Sequence, residues 1–247
     1  IYSPSKFWAD CKVESYILVM KILHISDTHG KHNFLDFERE NIDLIIHSGD
    51  STNYHDIARN FHEFERFVDW YSKVDIPNKV YVAGNHDAFL YNVRKDAERI
   101  LRDAGIEYLN YESLTVNGYK IYGYPTTPRF GDWYFMADRG KIQKHTDTIH
   151  NDTQILINHG MPKGILDLTE NIHRNLEMVG DKSLLTRINK LEKLKLFCGG
   201  HIHNNKHITN TGLRIINGVT FSNAAMVKDG EFEKQETYFH GNIITLI

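Results

Sequence analysis

Five short clusters hold the side chains of this chain that could do chemistry: Asp27-x-His29, Gly49-Asp50, Gly84-Asn85-His86-Asp87, His159-Gly160 and Gly200-His201-x-His203. They offer oxygen and imidazole donors and no thiolate, a mixture that suits manganese, iron or zinc better than calcium or an iron–sulfur cluster. Asp27 and His29 stand two residues apart, a spacing that puts both on one side of an extended chain, and His201 and His203 repeat it. Together with Asp50, Asn85, His86, Asp87 and His159 they are more donors than one four-coordinate site can use. Two divalent metal ions (Mn, Fe or Zn) sharing a carboxylate account for the surplus, and such pairs clamp the attacking and leaving oxygens of a displacement at phosphorus.

Donors so scattered along the chain need a scaffold to bring them together. Each cluster follows a short aliphatic run: KILHIS at 21–26, DLIIHS at 43–48, KVYVA at 79–83, QILIN at 154–158 and KLFC at 195–198. Runs of this length, stopped by glycine and polar turns, read as buried strands. Helical periods fall between them, at 55–71 with Ile57, Phe61, Phe64, Val68 and Tyr71 on one face, at 91–104 and at 181–193. Alternating strand and helix predict an α/β sheet, whose ligands gather beyond the carboxyl ends of the strands, where all five clusters lie. From about residue 207 the pattern changes to strands at 207–210, 213–216 and 219–222, then a hairpin of 236–239 with 242–246 turning at His240-Gly241-Asn242. A second, partly antiparallel sheet is the expected result. The aromatic-rich stretch 125–140 fits neither period and reads as a functional loop.

In this order, and each at a strand end, the five clusters resemble the five motifs of the calcineurin-like metallophosphoesterase superfamily, over residues 21–204. The resemblance implies a four-layer α/β/β/α sandwich of two mixed sheets flanked by helices. It implies that Asp27, His29 and His203 hold one metal, that Asn85, His159 and His201 hold the other, and that Asp50 bridges both. It gives His86 the role of protonating the leaving oxygen or stabilising the transferring phosphoryl group, with Asp87 orienting His86 or a neighbouring loop. The phrases HSGD, GYPTTPRFGDWYFMADRG, INHGMP and GGHIHN are similar to the compact phosphodiesterase-type branch. In the serine/threonine phosphatase branch an arginine follows Gly-Asp closely and a glutamate follows Asn-His; here those places hold Ser51-Thr52-Asn53 and Asp87. The implied reaction is attack of metal-bound hydroxide on a nucleotide-type or other small phosphodiester. A phosphomonoesterase or protein phosphatase on the same centre is the alternative, a nuclease of the DNA-repair type comes third because neither a strong basic patch nor an extra DNA-binding domain is visible, and a non-catalytic scaffold, which would have lost ligands, comes last.

Composition sets the remaining bounds. With 41% hydrophobic and 25% charged residues, the 247-residue chain can fill a core and is neither disordered nor fibrous. A net charge of -3 provides no global attraction to nucleic acid or anionic lipid, so the expected partner is a small phosphoester. No apolar run reaches the roughly 18 residues that span a bilayer. Two cysteines, Cys11 and Cys198, point to the cytoplasm rather than a disulfide-bearing compartment. Met20 opens the orderly part of the chain, so residues 1–19 read as an extension, either upstream sequence or non-native, and 20–247 as one domain.

Among the remaining candidates, His24 and His47 are expected to pack in the core, and Cys198 to be a small buried side chain. Histidines off the motifs and off the core strands, His32 among them, are expected at the surface. Trp133, with Tyr134 and Phe135, is either a platform for a nucleobase or a plug under its loop. Arg129 and Arg139 are candidates to neutralise substrate phosphate, with solvated surface charge as the ordinary alternative. Lys190, Lys193 and Lys195 form a short basic face expected to be solvated.

Overall fold

Strand β1 (Met20–Ile25) sends alternate side chains into two different cores, and the layering of the molecule follows from that two-residue period. Met20 and Ile22 enter a core between two sheets, whereas Leu23 and Ile25 face helices on the opposite side. Strand β2 (Leu44–His47) does the same with Leu44 and Ile46 against Ile45, and β3 (Asn78–Tyr81) with Val80 against Tyr81. The computed structural model describes residues 19–37 and 40–247; apart from Val19, the expected extension lies outside them.

The first sheet runs β15 (Asn242–Leu246), β1, β2, β3, β4 (Glu107–Tyr108), parallel from β1 to β4 and antiparallel at β15, where Met20 faces Leu246. Its outer face is covered by α1 (Ile57–Lys73), α2 (Ala88–Asn92) and α3 (Arg94–Asp103). The Asp56 carboxylate accepts the Arg59 N–H and starts α1, which delivers Phe64, Phe67 and Tyr71 to the sheet. The second sheet runs β13 (Gly212–Ile216), β14 (Val219–Asn223), β12 (Leu196–Gly199), β9 (Ile155–Asn158), β6 (Tyr119–Tyr124), β5 (Glu112–Val116). Its four central strands are parallel and the two edges antiparallel.

Ile121, Ile155, Ile157, Leu196 and Cys198 meet the first sheet, while Tyr122, Leu156, Phe197 and Phe221 meet Leu184 and Ile188 of α5 (Lys182–Ile188). Helix α4 (Gln143–Thr146) packs beside α5. The result is the four-layer α/β/β/α sandwich, held by side chains each worth about 1.5–3 kcal/mol of burial. Two small pairs complete it: β7 (Thr127–Pro128) with β8 (Met136–Ala137) inside the 125–140 loop, and the hairpin of β10 (Leu168–Glu170) with β11 (Leu176–Met178).

Several expectations need correction. Residues 207–210 form no strand, because Asn205 Oδ1 accepts the His207 and Ile208 N–H groups and turns the chain. The terminal hairpin is absent too: Gln235–Thr237 is a 3-10 turn, and β15 pairs with β1 in the first sheet. The helix expected at 91–104 is divided at Val93, and the one expected at 181–193 stops at Ile188. His32 is buried against Phe67 and Trp70 rather than exposed. The β5–β6 hairpin, turning at Asn117-Gly118, was not anticipated.

Candidate metal centre

Strands β1, β2 and β3 present Asp27, His29, Asp50, Asn85 and His86 just past their carboxyl ends, and β9 and β12 present His159, His201 and His203 from the facing sheet. The local backbone is not extended, as the two-residue spacing had suggested. Asp27, His29, Asp50 and His201 have φ of 52°, 43°, 56° and 66°, the left-handed region that side chains other than glycine rarely adopt. Such conformations persist only where the surroundings hold them, and they concentrate at functional sites. Glycines allow the close approach: a Cβ on Gly84 would stand 2.2 Å from Asp50 Oδ1, and one on Gly200 2.0 Å from Asp27 Oδ2.

Three groups of side chains bring their donor atoms within 4.8 Å of one another: Asp27, His29 and His203; His29, Asp50 and His86; and Asp50, His159 and His201. Asp50 thus reaches both ends of the cluster, its Oδ2 lying 3.7 Å from His29 Nε2 and 3.2 Å from His159 Nε2. Asn85 joins through Oδ1, 3.1 Å from His159 Nε2. Proximity alone would admit His86 as a further donor. Its Nδ1–H donates to the Asn53 carbonyl at 3.1 Å, which leaves Nε2 as its available atom, and its ring stacks on Trp133 with centroids 3.9 Å apart.

The electrostatics of these residues call for positive charge. Burial works against ionisation of Asp27, yet His159 and His203 hold its carboxyl well below the ordinary range. At Asp50 burial is likewise overcome, by His159 and then His86. Burial also disfavours the His159 cation, but Asp50 and Asp27 outweigh it and raise this imidazole to about 9. For His203 the same contest, with Asp229 and Asp27 as the opposing partners, ends at about 10. Burial, reinforced by His86 in one case and His159 in the other, drops His29 and His201 to about 3. Both ring nitrogens of buried His29 lack any hydrogen-bond partner. Protons on His159 and His203 therefore stand where cations would, and His29 is a neutral donor with its lone pair unused. This donor set fits two divalent cations.

Asp87 does not touch the His86 ring. Its Oδ2 accepts the N–H groups of Gly84 (2.7 Å) and Asp50 (3.0 Å), and its Oδ1 those of Ser51 (3.1 Å) and Thr52 (3.2 Å). The hydroxyls of Ser51 and Thr52 donate to it as well. Burial and then Asp50 push this carboxyl up from its ordinary value, and the ring of donors resists that push. Asp87 is thus the clamp that ties the turns after β2 and β3 together. His47 braces the neighbouring turns in a similar way. Its Nδ1 accepts the Gly49 N–H at 3.2 Å and its Nε2–H donates to Thr28 Oγ1 at 3.0 Å, between Asp27 and His29.

The cluster opens into a cleft of about 450 Å³, walled by Phe130, Trp133, Met161, Ile202 and Phe232. Arg139 lies on its rim, its guanidinium donating to the carbonyls of Val179 (2.6 Å) and Gly180 (3.0 Å). Arg129 lies outside and pairs with Asp138 at 2.9 Å. Cys198 is buried between the sheets, away from the donors. Asp229 is a residue that sequence reasoning missed: its carboxylate accepts from His203 Nδ1 at 2.8 Å. That bond points His203 Nε2 at Asp27, 3.0 Å away. Its neighbours Lys228, Gly230 and Glu231 form no motif, so the sequence holds no local signal for it.

A family model of calcineurin-like phosphoesterases matches residues 20–205, a span containing every donor of the cluster. The chain belongs to the calcineurin-like phosphoesterase family. It is 28% identical over 202 residues to human metallophosphoesterase domain-containing protein 1, covering 72% of this chain and 59% of that protein. A UPF0046 protein of Caenorhabditis elegans (C25E10.12) is 29% identical over 223 residues, 84% of this chain and 75% of its own. The chain thus spans somewhat over half the length of the human relative. The fold is shared with a known crystal structure at a TM-score of 0.60 and 14% identity, over 92% of this chain and 98% of that one. Among the described residues no helix is long and apolar enough to cross a membrane.

Proposed function

We propose that this calcineurin-like phosphoesterase hydrolyses small phosphodiesters with two divalent metal ions, drawn from Mn, Fe and Zn. Asp27, His29 and His203 would hold one ion, Asn85, His159 and His201 the other, and Asp50 would bridge them. When bound, the pair supplies Lewis-acid polarisation of a phosphoryl oxygen and a water of lowered pKa as nucleophile. The chain's own residues do the rest. Asp87 and His47 hold the turns that carry the donors, and the apolar walls receive the organic groups on either side of the phosphorus. His86, with its Nδ1–H held by the Asn53 carbonyl and its ring by Trp133, has Nε2 free to deliver a proton to the leaving oxygen.

The observation that carries the diester reading is the scarcity of fixed cations in the cleft. Among its described lining residues Arg139 alone is a lysine or arginine, and two carbonyls already occupy its guanidinium. A monoester dianion asks for more compensation than this, whereas a diester monoanion with two organic substituents suits three aromatic walls. Sparse cysteine goes with a cytosolic setting.

The test is turnover of Mn-loaded protein on matched nitrophenyl diester and monoester, with His86→Ala alongside. Diester turnover should exceed monoester turnover. His86→Ala should keep both metals and lose about 100- to 10,000-fold on alkyl or nucleoside diesters, and much less on nitrophenyl diester, whose leaving group needs no proton. A monoester preference in the wild-type protein would overturn the reading.

A further inference from the structure

A second cavity of about 450 Å³ opens on the far side of Arg139, between α4 and α5. Arg139 lines both it and the metal cleft. The partition between them is a short backbone pairing: the Lys163 N–H donates to Asp181 O at 3.0 Å, and the Asp181 N–H to Met161 O at 2.9 Å. The two cavities are therefore neighbours across one guanidinium and one strip of backbone.

Their charges differ sharply. Besides Arg139 the second cavity is lined by Lys163, Lys182, Arg187 and Lys190, against the carboxylates of Asp147 and Asp181. None of the five cations takes part in an ion pair among the described residues. Asp181 is committed elsewhere, accepting the Ser183 N–H at 2.7 Å to start α5. Arg187 donates through Nη2 to Ile149 O and to Asn151 Oδ1, and its buried Nε has no partner. Arg139 also acts favourably on the Asp181 carboxylate, but five cations against two carboxylates leave an excess of positive charge around one concavity in a chain of net charge -3. A bound anion would relieve it.

We propose that this basic cavity is a subsite for a second phosphate of the substrate, so that the preferred diester carries another phosphate group beside the scissile one. A short 5′-phosphorylated oligonucleotide is its simplest form, laid across Arg139 with the scissile diester among the metal donors and the further phosphate among Lys163, Lys182, Arg187 and Lys190. The inference rests on the diesterase reading above. It adds to that reading the reason why the cleft has so few cations of its own: the charges that recognise the substrate lie one linkage or more away from the reacting phosphorus.

The test compares thymidylyl-thymidine with and without a 5′-phosphate, in wild-type protein and in Lys182→Glu/Lys190→Glu, which alters two exposed side chains outside the catalytic cluster. In wild type the 5′-phosphate should raise kcat/KM roughly tenfold, the scale of two partly screened ion pairs. The double variant should lose that preference while turning over bis(nitrophenyl) phosphate at the wild-type rate. Calorimetric binding of the phosphorylated dinucleotide to metal-free protein should weaken by a similar factor in the variant, and in both proteins as salt rises. Equal kcat/KM for the two dinucleotides, a preference that survives the charge reversal, or tighter binding of a glutamate-rich peptide than of the dinucleotide would overturn the subsite. Failure of wild type on every diester, bis(nitrophenyl) phosphate included, would strike the diesterase reading instead, and the metal-free binding arm would still decide whether the cavity takes phosphate.

Discussion

The first sheet gives the site Asp27, His29, Asp50, Asn85 and His86; the second gives it His159, His201 and His203. One side of the seam thus carries both carboxylates, and the other carries imidazoles alone. They interlock. Asp50 meets His159 at 3.2 Å, Asp27 meets His203 at 3.0 Å and accepts the His201 N–H, and the His159 Nδ1–H donates back to Ser48 O. Beneath this polar stretch the same two sheets meet through Ile22, Leu44, Val80, Ile155 and Leu196. The apolar part fixes the distance between the sheets, and the polar part sits at that distance as a set of complementary half-sites. Folding and assembling the candidate metal donors are then one event, and cations held there should stabilise the fold by mass action.

The strongest way to break this comparison is to remove the residue that serves both halves. Asp50→Asn leaves the shape nearly unchanged but takes away the charge shared by His29 and His159. Metal content should fall from two ions to one or fewer, and turnover by more than about 1,000-fold, the scale of the several kcal/mol that bound metals contribute. Elemental analysis beside initial rates measures both. Two retained ions with near-normal rates would show that Asp50 does not join the half-sites.

A smaller effect is expected where the second half is only steered. Asp229 touches His203 and none of the other donors, so Asp229→Ala should weaken Mn binding by about 10- to 100-fold while kcat at saturating Mn stays within a few-fold. Asp229→Asn, which can still accept the Nδ1–H, should recover part of the loss. An unchanged Mn titration would mean that Asp27 alone orients His203.

The halves also differ in how openly the sequence displays them. Strands β1, β2 and β3 of the first sheet were legible because each is a parallel strand in a short apolar run stopped by a glycine-bearing polar turn, and β9 and β12 share that grammar, whereas the two-residue β4 has no such run. Strand β15 was legible as a strand but not in its place, since nothing local tells Asn242–Leu246 that its partner is β1. The β5–β6 hairpin was missed although Asn117-Gly118 is a strong turn signal, because Glu112, Ser113 and Thr115 make β5 half polar at a sheet edge. The candidate donors could be picked out because their residue types are unusual at strand ends, and the fold gathers them into one cluster. The left-handed backbone that aims them, the clamp at Asp87 and the support from Asp229 exist only in three dimensions.

The gentlest test concerns the seam itself. His24 on β1 bonds Ser222 of β14 at 2.6 Å through Nδ1 and Ser48 at 2.9 Å through Nε2, joining the sheets through polar atoms inside the core. Burial, only partly opposed by Asp27, depresses this imidazole to about 3, so it stays neutral in the folded protein. In the unfolded chain it titrates near 6.5 and binds a proton that the folded form refuses. Its contribution is therefore fully present above the unfolded value and is lost as pH falls from there toward about 3. Between pH 7 and pH 6 the loss is about 0.7 kcal/mol, and that figure depends on the unfolded value alone as long as the folded one lies well below 6. His24→Asn, which cannot titrate, should be less stable at pH 7 for want of one of the two bonds, yet its stability should fall by about 0.7 kcal/mol less than wild type on moving to pH 6. Urea unfolding of the metal-free proteins at the two pH values measures the difference, and equal losses would mean that His24 takes up its proton without parting the sheets.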